Sequence, residues 1–156
     1  MKGSLTILKG DATAPQAKGN KIILHVCNDI GGWGKGFVLA ISKRWQEPEK
    51  AYRKWHRDKI NFKLGEVQFV KVSQYITVAN MIGQRGVKTG SSGVPIRYEA
   101  VDEGLVKVAE KAIEIDASIH MPRIGCGLAG GKWEKIEPII IENLINQGID
   151  VFVYDY

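Results

Sequence analysis

Cysteine is scarce, with only Cys27 and Cys126 in 156 residues. Two are too few for a disulfide framework, and neither has a second Cys or a His at zinc-ligand spacing, so no structural metal is expected. Long apolar runs are missing as well. Runs such as Ile139 to Ile141 are short, far below the ~20 residues that cross a bilayer. Met1-Lys2-Gly3-Ser4 leads into a single strand-length apolar stretch rather than a signal-peptide core. These absences predict a cytoplasmic protein with no membrane partner. No internal repeat or low-complexity segment is present. With 44% hydrophobic and 25% charged residues, the composition is that of an ordinary soluble domain. A chain of this size buries roughly 70% of its unfolded surface. One monomeric domain over 1–156 is expected, without a cofactor.

Glycine, by contrast, is plentiful, and its 18 residues concentrate in three places: Gly31 to Gly36, Gly83 to Gly93, and Gly125 to Gly131. Each follows a predicted strand and precedes a predicted helix. Gly65 to Val72 and Tyr75 to Met81 are β-branched, partly alternating and separated by Ser73-Gln74, which predicts a hairpin. Leu5 to Lys9, Ile22 to Cys27, Ser118 to Pro122 and Asp150 to Tyr154 are short apolar runs, as expected of parallel strands covered on both faces. Val101, Leu105, Val108, Ala109, Ala112 and Ile115 share one helical face between residues 96 and 116. Shorter helices are predicted over 36–45 and 49–59, with Pro48 between them, and over 136–147, with Pro138 in its first turn and Gly148 closing it. Strands alternating with helices predict an α/β fold, a three-layer α/β/α sandwich on a mixed central sheet.

In such sheets ligands bind beyond the carboxyl ends of the strands, where glycine lets backbone N–H groups approach phosphate and helix N-termini add a favourable dipole. Three glycine loops at one edge describe a phosphate cradle. Gly32-Trp33-Gly34-Lys35-Gly36 has neither dinucleotide-fingerprint nor Walker A spacing, which disfavours NAD and NTP chemistry. Net charge is +5, and residues 35–63 hold nine Lys and Arg against Glu47, Glu49 and Asp58. That basic stretch is read either as a contact for nucleic acid or as a solvated helical face.

Several motifs together resemble the macrodomain family, the ADP-ribose-binding fold. They are Lys9-Gly10-Asp11-Ala12-Thr13, His25-Val26-Cys27-Asn28-Asp29, the Gly31 to Phe37 loop, Met121-Pro122-Arg123-Ile124-Gly125-Cys126-Gly127-Leu128, and Val151-Phe152-Val153-Tyr154. Within the family the resemblance is to the branch holding the terminal ADP-ribose protein glycohydrolase and the ADP-ribose 1″-phosphate phosphatases. It implies that Asp11 accepts from the adenine amino group with Ala12 offering its N–H beside Gly10, and that Asn28 holds the distal ribose. It further implies that Gly32, Trp33, Gly34, Lys35 and Gly36 clasp the diphosphate with Gly125, Cys126, Gly127, Leu128, Ala129 and Gly130, and that Tyr154 lines the adenine end. The glycohydrolase's lysine is absent from Asn80 to Arg85, Ala129 stands where it has an aspartate, and the phosphatases' loop histidine is absent from Gly90 to Gly93.

The catalytic candidates are therefore Asn28, His25, Gln84 and Arg85. His25 in an apolar strand is read as a structural histidine or as an acid/base group. Cys27 and Cys126 are read as packing residues, and Trp33 and Trp133 as loop anchors or stacking platforms. The expected function is hydrolysis of an ADP-ribose derivative at its distal ribose, with ADP-ribose or an ADP-ribosylated macromolecule as partner. The alternative is a reader that binds ADP-ribose without turnover.

Overall fold

A computed structural model describes residues 2–87 and 94–156 of the chain. In chain order these form β1 (Leu5–Lys9), β2 (Asn20–Asn28), α1 (Phe37–Arg44), α2 (Glu47–Asp58), β3 (Val67–Lys71), β4 (Ile76–Gln84), α3 (Tyr98–Ile115), β5 (Ala117–Met121), α4 (Trp133–Asn143) and β6 (Val151–Asp155), with single 3-10 turns at Gly127–Ala129 and Ile145–Gln147. The Gly90 to Gly93 stretch, one of the three glycine clusters' ends, lies outside the described residues.

The strands make one mixed sheet in the order β1-β6-β5-β2-β4-β3, parallel except where β3 runs antiparallel to β4. The predicted hairpin is that β3–β4 pair, held in register from Val67 opposite Met81 to Lys71 opposite Thr77. Side chains of β2 alternate between two cores. Ile22 and Leu24 pack with Val101, Leu105 and Val108 of α3 and Ile136 and Ile140 of α4, while Ile23 and Cys27 pack with Trp33, Val38, Ile41 and Tyr52 on the α1–α2 side. This gives the three layers, each such buried aliphatic side chain contributing about 1.5–3 kcal/mol.

The structure corrects three details. β1 is not covered on both faces: as the sheet edge it pairs only with β6, and Ile7 is exposed. α2 starts at Glu47, so Pro48 lies in its first turn, where a missing N–H costs nothing. α4 starts at Trp133, whose indole N–H donates to Glu137 one turn on (2.9 Å). Pro138 is therefore interior to α4, and the carbonyl it leaves unpaired belongs to exposed Glu134, within reach of water.

Because five strands are parallel, their carboxyl ends share one edge. Lys9, Asn28, Gln84, Met121 and Asp155 end there, and the chain leaves that edge into the glycine loops.

Candidate functional site

A groove follows this edge in two compartments. The larger, a cavity of about 680 Å³, is lined by Gly10, Asp11 and Ala12 after β1, by Leu39, Ala40, Lys43 and Arg44 of α1, and by Tyr154 and Tyr156. The smaller, about 300 Å³, lies between Lys35 before α1 and the 123–129 loop, with His25 and Gln84 at its floor. Gly36, Phe37 and Pro122 border both, so the compartments are continuous.

Local chemistry fixes the larger compartment. The Asp11 carboxylate accepts the Thr13 N–H (2.8 Å) and hydroxyl (2.7 Å) on one oxygen. Its other oxygen lies 3.6 Å from the Arg44 guanidinium, which also donates to the Thr13 hydroxyl (2.8 Å). Burial raises the Asp11 pKa, but the Thr13 bonds and Arg44 outweigh it and hold the group below the usual carboxylate range. Tyr154 forms the wall beside Gly10, where an added Cβ would stand 3.4 Å from the ring. Its hydroxyl accepts the Gln16 N–H (3.2 Å) and bonds His120 Nδ1 (2.7 Å), whose Nε2 bonds the Ser118 hydroxyl (2.8 Å).

Between the compartments the two glycine loops face each other. Gly36 caps α1 at φ +82°, and a Cβ there would lie 3.4 Å from the Leu128 side chain. Among the described residues, the N–H groups of Gly34, Lys35, Gly36, Gly127 and Leu128 have no hydrogen-bond acceptor, leaving them to a bound anion with the α1 dipole behind them. Lys35, Arg123, Lys43 and Arg44 add positive charge along the lining. Gly32 does not join them, because its N–H donates to Asn28 Oδ1 (2.9 Å).

The distal candidates are occupied differently from the expectation. Asn28 spends its amide on its own loop: Oδ1 accepts from Ile30 N, Gly32 N and the Tyr52 hydroxyl, and Nδ2 donates to the Gly32 carbonyl (2.9 Å). Gln84 donates to the Gly86 carbonyl (2.9 Å). Arg85 is exposed and does not line the groove. His25 borders the smaller compartment but is 2% exposed, and burial pushes its pKa down to about 4. Asn80 directs its amide N–H groups to the Pro48 carbonyl and Gln68 Oε1, so its carbonyl oxygen accepts the His25 Nε2–H (2.6 Å). The acid/base reading of His25 is thereby replaced by that of a neutral core group. The Trp33 indole is buried against the His25 ring and donates to the Ser42 hydroxyl (2.8 Å), which makes it an anchor and removes it as a stacking surface. Trp133 packs under the Arg123 guanidinium (4.9 Å), which itself pairs with Asp155 through two bonds of 2.7 and 2.9 Å. Burial raises the thiol pKa of both Cys27 and Cys126, so neither is an activated nucleophile.

Sequence reasoning missed Thr13, Arg44, Tyr52, Leu39, His120 and Tyr156 as parts of the site. Only Thr13 carried a signal, two residues after Asp11 in a side-chain-to-backbone turn. The others arrive through tertiary packing.

No protein-family model matches the chain. Among curated proteins, the chromodomain-helicase-DNA-binding protein 1-like of Danio rerio is 35% identical over 157 residues, covering 94% of this chain and 15% of that protein. The chain thus spans a small part of that relative. An ADP-ribose 1″-phosphate phosphatase of Candida albicans is 28% identical over 86% of this chain and 90% of its own length. A DNA ADP-ribosyl glycohydrolase of Mycobacterium tuberculosis is 26% identical over 89% of this chain and 37% of its own length. Among solved structures, a protein of unknown function from Bacteroides thetaiotaomicron is 58% identical with a TM-score of 0.97, covering 99% of both chains. A macrodomain protein from Streptomyces coelicolor is 55% identical with a TM-score of 0.89, covering 98% of this chain and 99% of that one. The sheet order, the edge groove and this whole-length identity agree, and the chain belongs to the macrodomain family, related to proteins that bind and hydrolyse ADP-ribose derivatives.

Proposed function

We propose that the groove binds ADP-ribose with adenine at Asp11 and Tyr154, the diphosphate between the Gly34–Gly36 and Gly127–Leu128 segments, and the distal ribose in the smaller compartment, where the protein hydrolyses an ADP-ribose derivative. The observation that carries this reading is the row of unbonded N–H groups between an acid-bearing pocket and a second, cationic one. Among the described residues no carboxylate lines the distal compartment, and its histidine is neutral and bonded to Asn80. Catalysis there rests on position: a water attacks C1″ of the ribose, the bond to the leaving oxygen breaks with its electron pair, and the water proton passes to a diphosphate oxygen and then solvent. Orientation of this kind supplies at most roughly 7–11 kcal/mol. With no carboxylic acid or charged histidine there among the described residues, a leaving group stable as an anion is favoured, a carboxylate or phosphate joined at C1″ over a nucleobase.

A reader without turnover is the second reading, favoured by the occupied amides of Asn28 and Gln84. Calorimetry with ADP-ribose tests binding, and a panel of O-acetyl-ADP-ribose, ADP-ribose 1″-phosphate, and ADP-ribosylated protein and DNA tests turnover. Binding with release of the groups joined at C1″, the 1″-phosphate and a protein carboxylate, is expected, while O-acetyl-ADP-ribose, acylated at a neighbouring hydroxyl, should persist. Binding with no release establishes the reader, and no binding at millimolar ADP-ribose overturns both.

A further inference from the structure

The exposed face of α2 carries charge that the groove does not use. Lys50, Lys54 and Arg57 recur at spacings of four and three, all exposed, and exposed Lys59 and Lys63 follow the helix. The acidic neighbours are already engaged: Glu49 accepts from Arg53 (2.9 Å) and Ser42, and Asp58 pairs with Lys54 (2.6 Å). Among the described residues, Lys50, Arg57, Lys59 and Lys63 have no carboxylate within ion-pair distance. Seven residues of helix separate Lys50 from Arg57 by about 10 Å, so the cations are spread along an extended line rather than gathered at one point. Beside these cations lies an apolar shelf. Ile60 is 70% exposed, and half-buried Phe62 has the Lys59 ammonium 5.5 Å from its ring.

Another side of α2 holds the loop after β2. Arg53 donates to the Gly31 carbonyl (3.3 Å), and a side chain at Gly31 would run into the His56 ring. We infer that the α2 face and the 59–63 segment bind the backbone of a single-stranded nucleic acid, the cations taking phosphates and the Ile60–Phe62 shelf taking base faces. An acidic peptide would use the charges but not the shelf beside them. The binding is independent of the groove's function.

Anisotropy of a fluorescein-labelled oligothymidylate, read between about 50 and about 200 mM salt, tests this directly. Four phosphate contacts predict a log–log slope of about −3 on salt. The triple variant Lys50→Gln, Arg57→Gln, Lys63→Gln should bind at least tenfold more weakly at the low-salt end with a slope nearer −1, while its thermal shift with ADP-ribose matches the parent's. A second variant with Glu at the same three positions should abolish oligonucleotide binding. Parent protein that shows no salt-dependent binding at low ionic strength overturns the inference, as does a Gln variant that binds like the parent. Displacement of the oligonucleotide by polyglutamate as readily as by unlabelled oligothymidylate also overturns it, in favour of an acidic protein partner. A parent that binds oligonucleotide but not ADP-ribose overturns the groove reading alone.

Discussion

Asp11 is the side chain on which the proposed adenine contact turns. One carboxylate oxygen is filled by Thr13, and the other faces Arg44 at 3.6 Å, longer than a hydrogen bond. That second oxygen retains acceptor capacity for an adenine amino group. Asp11→Ala should weaken ADP-ribose binding by about 1–3 kcal/mol in calorimetry, with little change in fold because the side chain is 31% exposed. The parent should also discriminate against the hypoxanthine analogue, which has no amino group, and the variant should not. Equal affinity of parent and variant for ADP-ribose would make Asp11 a turn residue only. At this scale the sequence was readable where chemistry is local, as in Gly10-Asp11-Ala12-Thr13. It was silent on Arg44, 31 residues from its Thr13 partner, and on His120, which reaches Tyr154 only because β5 and β6 lie side by side.

Among the elements, the loop after β2 depends most on one residue. Asn28 bonds Ile30, Gly32 and Tyr52 from a position 7% exposed, so it shapes the segment that leads to the Gly34–Gly36 N–H groups. Asn28→Ala should lower Tm as well as ADP-ribose affinity, since it removes the acceptor of the part-buried Ile30 and Gly32 N–H groups, at about 1 kcal/mol each. Cys126→Ser, at a half-buried thiol, should change both only slightly. An Asn28→Ala protein with unchanged Tm but lost turnover would instead return the amide to the distal ribose. Element types followed from periodicity: the β3–β4 hairpin and α3 stand where alternation and the Val101–Ala112 stripe placed them. Ends were less readable. α4 begins earlier than its apolar stripe because Trp133 and Glu137 bond across its first turn, and β1 lost its outer cover because strand order, not composition, made it an edge.

For the whole molecule, two buried histidines tie layers together and set a pH limit. His25 on β2 bonds Asn80 on β4, which reaches Pro48 of α2 and Gln68 of β3. His120 on β5 bonds Ser118 and Tyr154 of β6, and through that hydroxyl reaches Gln16 beyond β1. Burial is the main cause that lowers both imidazole pKa values to about 4, with Lys21 adding to the effect at His120. In the unfolded chain both return to about 6.5. Between those values the unfolded state binds more protons, so stability is complete above pH ~6.5 and falls as the pH is lowered towards ~4, by about 1.4 kcal/mol per pH unit for each histidine. The depressed carboxylates add to the loss only at the acid end, because their stabilisation is complete above the ordinary values of 4.5 for Glu49 and 3.8 for Asp11 and Asp155 and is lost as pH falls through the lower folded ones. Urea unfolding followed across this range should therefore show midpoints declining from near-neutral pH. His120→Gln, which removes one titrating group while keeping an amide to meet Tyr154 or Ser118, should reduce the slope by about half. A midpoint that stays level from pH ~6.5 to ~4.5 would mean that neither histidine is held neutral, and that the His25–Asn80 and His120–Tyr154 bonds do not persist in solution.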